Sequence, residues 1–170
     1  DFKRIGHATK VARYADQIVR EEKGDPAVVL SAAYLHDIGI HEAERKYQST
    51  EAKYQEEEGP PIARDILTKL GAQPDLIDEV CDIIAHHHHP RAEETTNYKA
   101  VYDADLIVNL EENQSEQKLP KENLAAWIEK NSFTETGRKL AKNIFLTPEI
   151  SANAEKIKIS NNKKPNEKQI

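Results

Sequence analysis

AAYLHDIGIHEAE, residues 32–44, sets a dry run of chain beside two residues that do not belong in one. Ala32, Ala33, Tyr34 and Leu35 read as the buried end of a helix; His36 and Asp37 follow, and Ile38 resumes the apolar pattern. Buried ionisable groups are costly unless paired or bound to metal, so this imidazole and carboxylate require partners from elsewhere in the chain. Adjacent helical residues diverge by about 100 degrees. Both can therefore border one cavity only where a helix end faces other helices.

Outward from that stretch, apolar residues recur at helical spacing and no two-residue alternation marks a strand, which predicts an all-α fold. Ile5, Ala8, Val11, Ala12, Ala15, Ile18 and Val19 mark one face of a first helix that stops before Gly24. Asp25 caps the next and Pro26 suits its first turn. Val28 to Ile38 continue that helix, and Gly39 ends it. Residues 40–58 are polar and weakly periodic and are expected as a mobile loop or lid, with Glu56 to Glu58 as a solvated face. Pro61–Leu70, Asp75–His87 and Lys99–Leu110 are expected as the third, fourth and fifth helices, followed by outer helices over Asn123–Lys130 and Thr136–Phe145. One domain over residues 1–160 is expected, with residues 161–170, NNKKPNEKQI, as a frayed tail with little to bury.

A chain of 170 residues can bury a sizeable single core. A formal charge of −6 argues against a nucleic-acid polymer or an anionic membrane surface as partner. No apolar run is long enough to span a bilayer, and the opening carries no signal-peptide pattern. The single cysteine, Cys81, excludes an internal disulfide, suits a reducing cytoplasm and sits in an apolar run as a small buried side chain. A homo-oligomer is compatible with this composition.

Three other segments bring polar residues to inward-leaning positions: His7 in IGHATKVARYA, His86 to His89 in DIIAHHHHP, and Asp103 and Asp105 in AVYDADLIVNL. Imidazole and carboxylate donors converging from separate helices make a divalent-metal site, because helix packing fixes their distances. The ordered set resembles the HD-domain superfamily of metal-dependent phosphohydrolases, over roughly residues 5–112. The resemblance implies an HD-type helical bundle with peripheral C-terminal helices. It implies His7, His36, Asp37 and Asp105 as metal ligands, with Asp103 as a pocket or supporting residue. Such a nitrogen and oxygen set suits Mn²⁺, Fe²⁺, Co²⁺, Ni²⁺ or Zn²⁺ rather than Cu⁺.

The chain departs from relatives at several places. Ile40 stands where many carry Lys after HDIG, and the histidine of two-metal relatives aligns near Gln55 in YQEEEGPPIARDIL. No Gly-Tyr-Pro signature follows HHHHPRAEE. One metal per chain is therefore expected, with Asp37 holding it through one oxygen and orienting water with the other. At most two of four consecutive histidines face one cavity; His86 and His87 are expected there as catalytic residues, with His88 and His89 nearer solvent. His41, Arg45, Lys46 and Arg91 are candidate phosphate-binding cations. The expected function is hydrolysis of a small phosphate ester, nucleotides included. The competing readings are a two-iron HD-type oxygenase and a non-catalytic, metal-stabilised regulatory module.

Overall fold

The computed structural model describes residues 2–114 and 120–147, so the tail expected at 161–170 lies outside the described residues, as does the end of the domain expected over 1–160. Among the described residues there are eight helices and no strand: α1 Phe2–Glu22, α2 Pro26–Leu35, α3 Ile40–Tyr47, α4 Ala52–Lys69, α5 Pro74–Ile84, α6 Thr96–Gln114, α7 Lys121–Asn131 and α8 Glu135–Leu146. None is long and apolar enough to cross a membrane.

The bundle is organised around α2, a largely apolar helix packed by three others, although Tyr34, expected in its buried end, is 55 % exposed. Asp25 caps it, accepting a hydrogen bond from the Ala27 amide at 2.8 Å, and Pro26 fills the first turn. Its buried Val28, Val29, Ala32 and Ala33 are packed by α1, α5 and α6. The fully buried face of α1 begins at Val11; of the residues expected on it, Ile5 is exposed and Ala8 half-buried. The C-terminal end of α2 thus emerges among three helices and carries His36 and Asp37 with it.

Residues 40–58 are not a loop. They form α3 and the first half of α4, which enters upstream of Pro60 and Pro61 and continues through them. Tertiary contacts outweigh the weak local pattern. Tyr47 and Tyr54 stack at 4.2 Å between ring centres. Glu58, only 8 % exposed, accepts hydrogen bonds from Lys46 at 2.6 Å and Tyr47 at 3.0 Å, so the acidic run is not simply a solvated face. Gly39 makes this packing possible: a Cβ there would collide with the Gln55 carbonyl oxygen and come within 2.6 Å of the Gly59 amide. The glycine of HDIG is therefore a close-approach point, with an ordinary helical φ of −75°.

On the far side of the bundle α8 packs against α6 and α1, and α7 against α8. Asp103 joins α6 to the α7–α8 connection. Fully buried, it accepts hydrogen bonds from the amides of Phe133 and Thr134 at 2.8 and 2.7 Å and from the Thr134 hydroxyl at 2.6 Å. Asp103 is a structural joint and does not support the pocket as expected.

Candidate metal centre

Four helix segments deliver the cluster. His7 comes from α1, His36 and Asp37 from the turn after α2, His87 and His88 from the turn after α5, and Asp105 from α6. His7 Nε2 lies 3.0 Å from Asp105 Oδ1 and 3.9 Å from Asp37 Oδ2. His36 Nε2 lies 3.5 Å from Asp37 Oδ2 and 3.6 Å from Asp105 Oδ1. Donors bound at about 2.1 Å to one ion stand about 3.0–3.4 Å apart at neighbouring corners. The donor atoms of His7, His36 and Asp37 lie close enough together to share one ion, and Asp105 meets both imidazoles.

The tautomers fit as well. His36 Nδ1 donates to the Ala33 carbonyl and His87 Nδ1 to the Ile84 carbonyl, each at 2.8 Å. In the neutral ring this leaves the His36 Nε2 as the free coordinating nitrogen, while the His87 Nε2 faces Asp37 Oδ1 at 3.7 Å. Both Nε2 atoms are buried and have no hydrogen-bond partner. Orphaned buried polar atoms cost about 1–3 kcal/mol each, and a cation among His7, His36 and Asp37 would remove that cost for His36. His7, His36 and Asp37 could therefore hold a metal ion, with Asp105 set against both imidazoles.

Asp37 stands between two groups. Its Oδ2 faces His7 and His36, while its Oδ1 lies 3.7 Å from His87 Nε2. Donor atoms of His7, His36 and Asp37 lie within 4.8 Å of one another, as do those of Asp37, His87 and His88. Burial would push the Asp37 carboxyl up, but the surrounding imidazoles of His87, His36 and His7 hold it well below the ordinary carboxylate range. The Asp105 carboxyl is likewise lowered, against burial, by the His7 hydrogen bond and the charge of His36. Conversely, the hydrogen bond to Asp105 raises His7 to about 9 despite partial burial, with Glu112 adding to the effect.

The histidine run divides differently from expectation. His87 borders the cluster as expected, and His88, exposed as expected, still lies within reach of it. His86 does not: its Nδ1 meets the Asp82 carbonyl at 2.6 Å and its Nε2 meets Glu94 at 3.0 Å, while its ring stacks on Tyr98. His89 is exposed and pairs with Glu56 at 2.7 Å. The candidate cations are also engaged elsewhere, with Arg45 on Glu42, Lys46 on Glu58 and Arg91 on Asp82. Gln55, buried on α4, holds the Thr50 carbonyl with its amide nitrogen and presents its oxygen 3.4 Å from His88 Nε2.

Two features escaped the sequence reading. Glu112 Oε2 lies 3.2 Å from His7 Nδ1, fixing the ring from behind, and its other oxygen meets Lys10 at 3.3 Å. The spacing of Asp105 and Glu112, two turns apart on α6, was the available signal. Lys3 and Arg4, near the start of the chain, line an opening of about 340 Å³ with His7, Asp37, Asn109 and Glu112. A second opening, of about 260 Å³, lies on the His87 and Asp105 side.

A family model of the HD domain matches residues 4–110, which include every residue of this cluster. The chain belongs to the HD-domain family. The HD chain is also similar to a solved structure described as a predicted HD superfamily hydrolase, from an uncultured Thermotogales bacterium. The two share 23 % identity at a TM-score of 0.60, over 92 % of this chain and 78 % of the other. At that identity the likeness concerns the fold. A search of curated proteins found no significant match. Family membership places the chain in a superfamily of metal-dependent hydrolases, and its clustered His and Asp side chains could hold a divalent ion.

Proposed function

We propose that this HD protein is a divalent-metal-dependent phosphohydrolase acting on a small phosphate ester, with nucleotides among the candidates. The observation that carries this reading is the buried, unpartnered Nε2 of His36, held among His7, Asp37 and Asp105 at 3.5–3.6 Å from the two carboxylates. In this reading His7, His36, Asp37 and Asp105 hold one ion. When bound, such an ion supplies a Lewis acid that lowers the pKa of water and withdraws charge from a phosphoryl oxygen.

The chain's own residues perform the remaining work. Asp37 presents its second oxygen toward His87, where it can accept a hydrogen bond from water and fix that water's orientation. His87, 5 % exposed, can donate from Nε2 to a phosphate oxygen or to the departing alkoxide. Its protonated form is favoured, because Asp37 and the Ile84 carbonyl outweigh the effect of burial. Lys3 and Arg4 line the adjoining opening, with Arg4 paired to Glu44 at 3.0 Å.

The test is elemental analysis of the untagged protein after reconstitution, followed by a phosphatase screen over nucleotides with several divalent ions. One tightly held ion per chain and metal-dependent phosphate release are expected. Failure to take up any ion overturns the reading. The two-iron oxygenase reading draws on one observation, the sharing of Asp37 between the two donor groups. Two irons per chain with oxygen consumption and no phosphate release would favour it.

A further inference from the structure

The opening on the His87 side continues the cluster outward. One wall is a row on α6: Tyr102, Asp105, Leu106, Asn109 and Asn113 share a face and line the cavity together. From the ligand Asp105, this row reaches Asn109 about 6 Å and Asn113 about 12 Å further along the axis. Trp127, on α7, also lines the cavity and is 38 % exposed. Its helix begins at Lys121, beyond residues 4–110 that match the HD domain. The part of the chain that supplies the metal donors therefore does not supply this wall.

A half-exposed indole beside leucines offers a flat apolar surface suited to another ring, since aromatic faces stack in offset geometry. The Asn109 and Asn113 amides add a donor and an acceptor each, so the cavity can match a ring whose edge carries both. At about 260 Å³ the space is small, which favours one ring system over an extended chain. Its direct continuity with Asp105 and His87 sets that ring on the same molecule as the reacting phosphate.

We propose that this cavity is the leaving-group subsite and selects phosphate esters bearing a nucleobase-like ring, stacked on Trp127 and met at its edge by Asn109 and Asn113. The inference rests on the phosphohydrolase reading for the reaction, but binding of the ring can be measured without it.

Trp127 is the chain's single tryptophan, so its emission reports this cavity alone. Titration of the metal-loaded protein with adenosine, which has no phosphate to lose, is expected to change that emission saturably, whereas ribose is not. In steady-state assays, kcat/KM for adenosine 5′-monophosphate should exceed that for ribose 5-phosphate. Trp127→Ala should reduce this ratio by about tenfold or more, the scale of one lost base–aromatic stack. Asn113→Ala, at an exposed position, should reduce it less. An unchanged emission with adenosine, or a ratio unmoved by both substitutions, overturns the subsite. Phenyl phosphate turned over as efficiently as adenosine 5′-monophosphate would overturn the role of the amides. Saturable adenosine binding without hydrolysis of any ester would support the subsite and overturn the phosphohydrolase reading.

Discussion

Asp103 and Asp105 stand two residues apart on α6, and both are shielded from water, yet their surroundings have nothing in common. Asp103 is saturated by three donors from the α7–α8 connection, and Thr134, one of those donors, also caps α8 through the Gly137 amide at 2.9 Å. Asp105 instead faces the nitrogens of His7 and His36, which themselves require an acceptor or a cation. Residues two apart on a helix point about 200 degrees from each other. One carboxylate is thus turned to the outer helices and the other to the cluster. Burial alone does not mark a ligand; the neighbours' unmet valence does.

The largest effect that can break this contrast belongs to Asp105. Asp105→Ala is expected to lose tight metal binding and to reduce hydrolysis to background, while the helical circular dichroism of the metal-free protein is retained. Stoichiometric metal and normal turnover in this variant would end the distinction between the two aspartates. The same holds for Asp37→Ala, in which the donor shared by both groups is removed.

Next in size is the histidine run. At saturating metal, His87→Ala should cost about 10²-fold in rate, the range of a lost proton donor or oxyanion partner. His86→Ala should leave the rate close to wild type and instead lower stability, because it deletes the stack on Tyr98 and the hydrogen bond to the Glu94 carboxylate. Comparable rate losses at both positions would contradict the separation described above.

Asp103 should respond in the opposite currency. Asp103→Ala strands three donors at roughly 1–3 kcal/mol apiece, and partial access to water reduces the sum to about 2–5 kcal/mol of unfolding free energy. Urea denaturation measures this loss, and metal stoichiometry of the folded fraction should be unchanged. Gly137→Ala approaches the same joint from the other side, since a Cβ would lie 2.7 Å from the Asp103 Cβ. A loss of about 1–3 kcal/mol is expected from that overpacking. A wild-type denaturation midpoint in either variant would show that the joint does not hold α8.

The smallest effect is a pH dependence confined to the cluster. In the metal-free protein His7 is raised from 6.5 to about 9, chiefly by its hydrogen bond to Asp105. A raised folded-state value means that this contribution to stability is complete below about 6.5 and is lost as pH rises through about 9. The melting temperature of metal-free protein should fall across that interval, and Asp105→Ala should flatten the slope. A slope that survives this substitution would locate the titration elsewhere.

The legible parts of the molecule were those where one residue's chemistry demanded another. His36 and Asp37 in an apolar run required distant donors, and the ordered set of His7, HDIG, the histidine run and DAD led to the family. The periodicity of α6 could not by itself choose between Asp103 and Asp105; the resemblance did. Within the histidine run, the helical wheel failed because α5 ends at Ile84 and the following turns no longer advance by 100 degrees per residue. Residues 40–58 were misread because their order comes from contacts far apart in sequence, such as Lys46 with Glu58 and Gly39 against α4. Trp127 sat on an outer helix with no local sign that its ring bordered the cluster.

The glycine contact behind the His36–Asp37 turn has a kinetic consequence. Backbone touches backbone there, with Gly39 against Gly59 and the Gln55 carbonyl, and the imidazoles of His36 and His87 are already anchored to helix-end carbonyls. An arriving ion therefore meets donors that are aimed before it comes, and no segment has to fold around it. Its capture should proceed in one phase whose rate rises linearly with ion concentration, without the plateau that a slow rearrangement of the protein would impose.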